Sequence, residues 1–221
     1  MDFGKAFTFQ FEAEDWWKKL LLTGLIALIP VVGLLYVLGW MMEIAGRFAK
    51  APAGSSVDLP DVDFGGFLGA GFKGFIASLV YAVPAFIVML PLAIILPVSI
   101  NSMDDPSAVV AIASICCGGL SILLAIAGSL LTYPALVEVQ LQGNLKAGLN
   151  FKRMFAILKG AIVPYLLSIL AMAIVTPILS SLGSLLCGIG ILLTVPYSVS
   201  LSGYFLGSAY KEGVASLDPE I

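Results

Sequence analysis

The sequence predicts an all-α fold, a polytopic bundle of transmembrane helices. Of the 221 residues, 60% are hydrophobic and only 11% are charged, whereas soluble domains carry about 25% charged residues. The charges leave four long uncharged blocks, at residues 20–42, 74–103, 106–137 and 160–210. Each block is a continuous apolar run without the alternation of a barrel strand. Composition and pattern together therefore indicate helices that cross a hydrocarbon core about 30 Å thick.

The last three blocks contain four predicted spans in two hairpins. About 20 apolar residues suffice for one crossing, so the block at 160–210 is long enough for two. Gly183 and Ser184 are predicted to form the turn that divides it. The hairpins occupy residues 74–132 and 160–208. The four spans are 74–98, 107–132, 161–180 and 185–208.

Lysine and arginine residues predict the side of the membrane on which each loop lies. The two hairpin turns carry none, whereas the segments 43–73 and 133–159 and the tail 209–221 do. Because short basic loops stay in the cytoplasm, we expect these three segments, and hence the C-terminus, to be cytoplasmic. The whole chain, residues 1–221, is then one integral domain of the cell membrane.

The first hydrophobic segment, residues 20–42, admits two interpretations. It follows an amphipathic segment at 1–19 that carries three lysines. Pro30 and Gly33 lie near its middle and favour a break in the helix. If the lysines stay in the cytoplasm, the segment enters and leaves the membrane on the same side, as a re-entrant hairpin. We favour this form, and a fifth, kinked span is the alternative.

A mixed stretch before the second hairpin predicts a helix that lies in the membrane interface. Its apolar anchors fall at helical spacing while its basic residues face elsewhere, toward anionic lipid. The anchors are Phe151, Phe155 and Leu158, and the basic residues are Lys152, Arg153 and Lys159. Membrane lipids are therefore expected partners.

Small residues predict a close helix contact in the last span, where Gly203 and Gly207 form a GxxxG pattern. Packing within the chain is favoured, while a homo-oligomer or a contact with other membrane subunits stays open. Two ion pairs are also predicted from spacing and position. They are Glu43 with Arg47, and Glu138 with either Lys146 or Arg153.

The residue types argue against enzyme chemistry and nucleic-acid binding. The chain has no histidine and a net charge of −3, and the four later spans contain no group that could act as a general base for a nucleophile. The cysteines, at 116, 117 and 187, are expected to be small core residues. The acidic residues Asp58, Asp61 and Asp63 lack the further oxygen ligands of a calcium site and are expected to form a solvated loop. We therefore expect no catalytic residue, no metal and no cofactor.

Several short motifs resemble a known family. They are MDFGKAF at 1–7, DWWKKL at 15–20, LIPVVG at 28–33, LPD at 59–61 followed by Phe64, and YAVP at 81–84. These motifs are similar to the domain-of-unknown-function family 4013, which consists of prokaryotic multi-pass membrane proteins with no established activity. The resemblance implies a location and a fold, and it carries over no catalytic residue.

These observations favour a non-catalytic multi-pass membrane protein, such as a scaffold or an accessory subunit of a membrane complex. The short loops leave no room for a separate soluble domain. A transporter or channel for a small neutral or lipid-like solute is the alternative. Prolines within the spans would free backbone carbonyls to line a path for such a solute.

Overall fold

The computed structural model describes residues 2–52, 55–102, 112, 114–185 and 190–217. Every regular element in these residues is helical, which confirms the all-α fold. The elements are α1 (Phe3–Thr8), a 3-10 turn (Phe9–Glu12), α2 (Trp16–Ala27), α3 (Val32–Lys50), α4 (Phe64–Ser102), a π-helical turn (Ser114–Gly118) that leads into α5 (Gly119–Gln142), α6 (Leu145–Gly148), α7 (Phe151–Gly160), α8 (Ile162–Leu185) and α9 (Ile191–Ala215).

Five of the described helices are long and apolar enough to cross a membrane. They are α3, α4, α5, α8 and α9, the last four of which correspond to the four predicted spans. The chain divides into two compact units, residues 1–77 with 133–221, and Ser78–Thr132.

The core of the first unit forms around α9. Gly207 lies against the backbone of Ala45, and Gly203 lies against Met41 and Ile44. Because residue numbers increase together along both helices, α3 and α9 run parallel. Their shared core includes the fully buried side chains of Trp40 and Phe205. The GxxxG pattern therefore packs within the chain.

The segment that precedes α3 runs antiparallel to α9. The amide of Gln10 donates to the hydroxyl of Ser200 (3.0 Å), and Gly24, later in the chain, lies against the backbone of Leu192. Thus α2 and α3 form a helical hairpin whose two arms both contact α9.

The predicted break in the first hydrophobic segment is present. Helix α2 ends at Ala27 and α3 begins at Val32, and the N–H of Val32 donates to the carbonyl of Pro30 (2.7 Å) in a γ-turn centred on Val31. Val31 has φ 63° and ψ −56°, a conformation that is strained for a β-branched residue. Gly33 lies against the carbonyl of Ile26, where a Cβ would come within 2.5 Å. The break is thus a tight turn that brings the two helices together.

A second glycine contact joins α3 and α4. A Cβ at Gly71 would lie 1.8 Å from the carbonyl oxygen of Leu35, and a Cβ at Gly39 would lie 1.9 Å from that of Phe67. The two backbones therefore touch, which only glycine permits on either side.

The second unit, Ser78–Thr132, contains antiparallel portions of α4 and α5. The hydroxyl of Ser121 donates to the carbonyl of Ala85 (2.9 Å), and Gly128 lies close to the carbonyl of Tyr81. These contacts form the first predicted hairpin, whose turn falls outside the described residues. Cys116 is exposed, so the expectation of a core position is wrong for this cysteine. Cys187 lies outside the described residues.

The predicted turn of the second hairpin is wrong. Gly183 and Ser184 are helical, because α8 continues to Leu185. The hydroxyl of Ser184 donates to the carbonyl of Ser180 one turn earlier (2.9 Å), which satisfies the serine inside an apolar helix. Gly183 instead lies against Thr194 and Gly190, as a contact point between helices.

Candidate functional site

A buried carboxylate defines the candidate site. Among the described residues, Glu138 is the one charged residue that is buried, with a side chain only 4% exposed. It lies in α5, inside a candidate membrane span. Its Oε1 is 3.1 Å from Nε of Arg153, and its Oε2 accepts a hydrogen bond from the hydroxyl of Tyr210. The predicted ion pair is therefore confirmed with Arg153 as the partner.

Helix α7 positions Arg153 for this pair. The side chain of Asn150 accepts from the N–H of Arg153 (3.2 Å) and so caps the helix. Burial lowers the pKa of the Arg153 guanidinium, but the Glu138 carboxylate and the Tyr210 hydroxyl outweigh this effect and raise it. Arg153 therefore remains charged and compensates the buried carboxylate.

A polar pocket of about 440 Å³ lies beside the ion pair of Glu138 and Arg153. Gln142, Asn144, Lys146 and Asn150 line it together with Glu138 and Arg153. Two cations and one carboxylate give it a net positive charge. Its amides and cations are hydrogen-bond donors of the kind that hold phosphate or carboxylate groups.

An apolar cavity of about 340 Å³ lies among α3, α5, α8 and α9. The rings of Tyr133 and Tyr165 stack at its edge with centroids 6.4 Å apart and planes 10° apart. Tyr165 is fully buried, and its hydroxyl has no hydrogen-bond partner in the described part of the chain. Leu206 lines the cavity one helical turn before Tyr210, so cavity and ion pair are neighbours along α9.

A helix, α7, is present where the interfacial helix was predicted, and its apolar residues are divided between two environments. Phe151 and Phe155 are exposed, as are Lys152 and Lys159. Leu158 was expected to be a lipid anchor and is instead buried, because Met154 and Ile157 lie on the same inward stripe. Arg153 contacts Glu138, so two exposed phenylalanines and two exposed lysines remain available to lipid.

The acidic loop contacts the N-terminal segment. Asp61 lies 2.7 Å from Nζ of Lys19, and this contact lowers the pKa of the Asp61 carboxyl. Asp63 accepts from the N–H of Gly66 (2.9 Å) at the start of α4. In the ranges the structure describes, no three acidic or cysteine side chains lie together as a metal site would require.

The fold and this site define a class of protein: an all-α chain with five helices in its described residues that are able to cross a membrane, and a buried carboxylate paired with a half-exposed arginine. A family model described as "Protein of unknown function (DUF4013)" matches residues 22–188. The matched residues are about three quarters of the 221-residue chain. The chain therefore belongs to that family. No curated protein and no solved structure matches it.

Sequence reasoning found Glu138 and Arg153 but missed the tyrosines that complete the site. Tyr210 and Tyr165 lie 72 and 27 residues beyond Glu138 in the chain, so no spacing rule connects them. One signal was present. Tyr133, Tyr165 and Tyr210 all occur near the ends of apolar blocks, where an aromatic hydroxyl usually has a polar partner.

Proposed function

We propose that this chain is a non-catalytic membrane protein that acts as a scaffold or accessory subunit of a membrane complex. One observation carries the proposal: in the 18-residue apolar stretch of α5, and likewise in that of α8, only 11% of the residues are buried within the chain. Helices that pack so little within their own chain offer long surfaces to other transmembrane helices, and van der Waals packing between such surfaces drives association in lipid.

Site-specific photo-crosslinking in native membranes tests this proposal. A photoreactive residue at Leu123, which is 65% exposed on α5, should give a discrete protein adduct. The matched control is Leu201, the same residue type in a fully buried position, which should give none. Adducts with lipid alone at Leu123, together with a monomeric mass for the protein extracted in mild detergent, would contradict the proposal.

We further propose that the N-terminus, the loop at 51–63, α7 and the C-terminus lie in the cytoplasm, at the cell membrane, and that the α2–α3 hairpin is re-entrant. The turn between α2 and α3, which forms the tip of the hairpin, supports this topology. Its residues Leu28 and Val31 are 64% and 70% exposed, and the exposure of such apolar side chains to water would be unfavourable. From Val32 to Met42 the helix has 11 uncharged residues, which extend about 16 Å, half of a bilayer core.

Cysteine labelling separates the two topologies. In a background without the native cysteines, an impermeant thiol reagent should not label Glu14→Cys in intact cells and should label it after lysis. Val31→Cys should resist the reagent in both states, because a thiol in hydrocarbon does not ionise. Labelling of Val31→Cys in intact cells would show that the tip reaches the outer surface.

Lipid is proposed as a partner of α7. Phe151 and Phe155 are placed to enter the acyl boundary while Lys152 and Lys159 contact phosphates, each basic residue contributing about 1 kcal/mol. Lys152→Glu with Lys159→Glu should reduce the anionic lipid retained during purification. Arg153 is left unchanged because it also holds Glu138. Unchanged lipid content in the folded double variant would contradict an interfacial position.

A transporter for a small neutral or lipid-like solute is the second candidate. The apolar cavity favours it, since its volume of about 340 Å³ is enough for a small solute and the polar residues Tyr133, Ser168 and Ser202 are among those that line it. Solute flux into vesicles that contain the purified protein would support transport, whereas flux equal to that of empty vesicles would exclude it for the solutes tested.

A further inference from the structure

We infer that the apolar cavity is a binding site for one hydrocarbon chain of a membrane phospholipid. This role is independent of whether the protein also assembles with partners.

The walls and position of the cavity select a hydrocarbon occupant. Four helices that contribute to it are candidate membrane spans, so the surrounding solvent is lipid rather than water. Met172, Ile169, Leu206 and Phe205 supply apolar walls. The volume of about 340 Å³ lies within the range of ligand pockets. Ala173 lies at the edge of the cavity and is exposed, so a chain can enter from the side.

The neighbouring groups place the polar end of that lipid. Tyr210, bonded to Glu138, lies one turn along α9 from the cavity residue Leu206. Arg153 and Lys146 line the polar pocket beyond the Glu138 ion pair. The lining residues therefore change from apolar in the cavity to positively charged in the polar pocket. A phospholipid changes in the same order from its acyl chain through the ester to the phosphate.

A diazirine-bearing phospholipid tests the site directly. The full chain is reconstituted in phosphatidylglycerol vesicles that contain this lipid, with the diazirine on one acyl chain, and adducts are mapped after illumination. We expect adducts on Ile169 and Met172, and their loss in Ala173→Trp, which fills the cavity. Ile174→Trp is the matched control, since it adds the same side chain at an exposed position one residue along α8. It should leave the adducts unchanged.

One result would overturn the inference. If the adducts are spread evenly over exposed α8 residues such as Leu166, Leu170 and Ile174 and do not decrease in Ala173→Trp, the labelled lipid only surrounds the protein.

Discussion

The contact between Gly39 and Gly71 provides the sharpest test of the packing. In Gly71→Ala, the new Cβ would lie 1.8 Å from the carbonyl oxygen of Leu35. An ordinary van der Waals contact begins at 3.4 Å, so α3 and α4 must separate by about 1.6 Å. Neither atom belongs to a flexible side chain, so the strain moves both helices. Overpacking of this kind costs about 1–3 kcal/mol or more.

Gly69→Ala is the matched control on the same helix. A Cβ at Gly69 meets nothing within 4 Å, so only the higher helix propensity of alanine acts, and it stabilises by up to about 1 kcal/mol. Because Gly71→Ala gains the same helix propensity, the two variants should differ in the free energy of unfolding by the overpacking cost alone, about 1–3 kcal/mol or more, with Gly71→Ala the less stable.

Thermal unfolding of the detergent-purified protein, followed by helical circular dichroism, measures this difference. At about 2–4 °C per kcal/mol for a chain of this size, the unfolding temperatures should be separated by several degrees. Equal unfolding temperatures for Gly71→Ala and Gly69→Ala would refute the close backbone contact.

Three further predictions concern the site, the loop and the hairpin tip. Glu138→Ala should destabilise the protein by about 1–3 kcal/mol, because the buried hydroxyl of Tyr210 loses its acceptor, whereas Glu138→Gln, which keeps an acceptor, should cost less in the same unfolding assay. The carboxyl carbon of Asp61 should titrate in NMR below the ordinary pKa of about 3.9, because Lys19 lowers this pKa, and the pKa should rise in Lys19→Met. The stabilising contact with Lys19 is present above about pH 4 and is lost as the pH falls through the lowered pKa. Val31→Gly should stabilise by about 1 kcal/mol, since glycine adopts φ 63° without strain, and a lower unfolding temperature would show that Val31 makes contacts worth more than the strain.

The sequence predicted the helix-level architecture because that depends on local properties. Uninterrupted apolar runs predicted the spans, and Pro30 with Gly33 predicted the break, since both residues act on their own backbone. The ion pair between Glu138 and Arg153 was also within reach, because both residues lie close together in the chain.

The remaining features depend on contacts between distant segments. The second span was predicted to end at Thr132, within an uncharged block that ends before Glu138. Helix α5 instead continues to Gln142, and Arg153 and Tyr210 compensate the buried Glu138. Gly183 was predicted to be a turn residue and is instead a helix contact. In both cases the outcome was decided by a partner from another helix, which periodicity and composition do not identify.

The parallel pairing of α3 with α9 has a consequence for biosynthesis. Gly203 contacts Ile44, so α3 leaves the ribosome about 160 residues before the helix against which it packs. At about 5–20 residues per second, that interval is roughly 10–30 s. During this time the surface of α3 that will receive Gly203 and Gly207 is uncovered, and the hairpin of α2 and α3 lacks the helix that both arms contact. Nascent chains that stop before residue 191 therefore present an incomplete core to the quality-control proteases of the membrane.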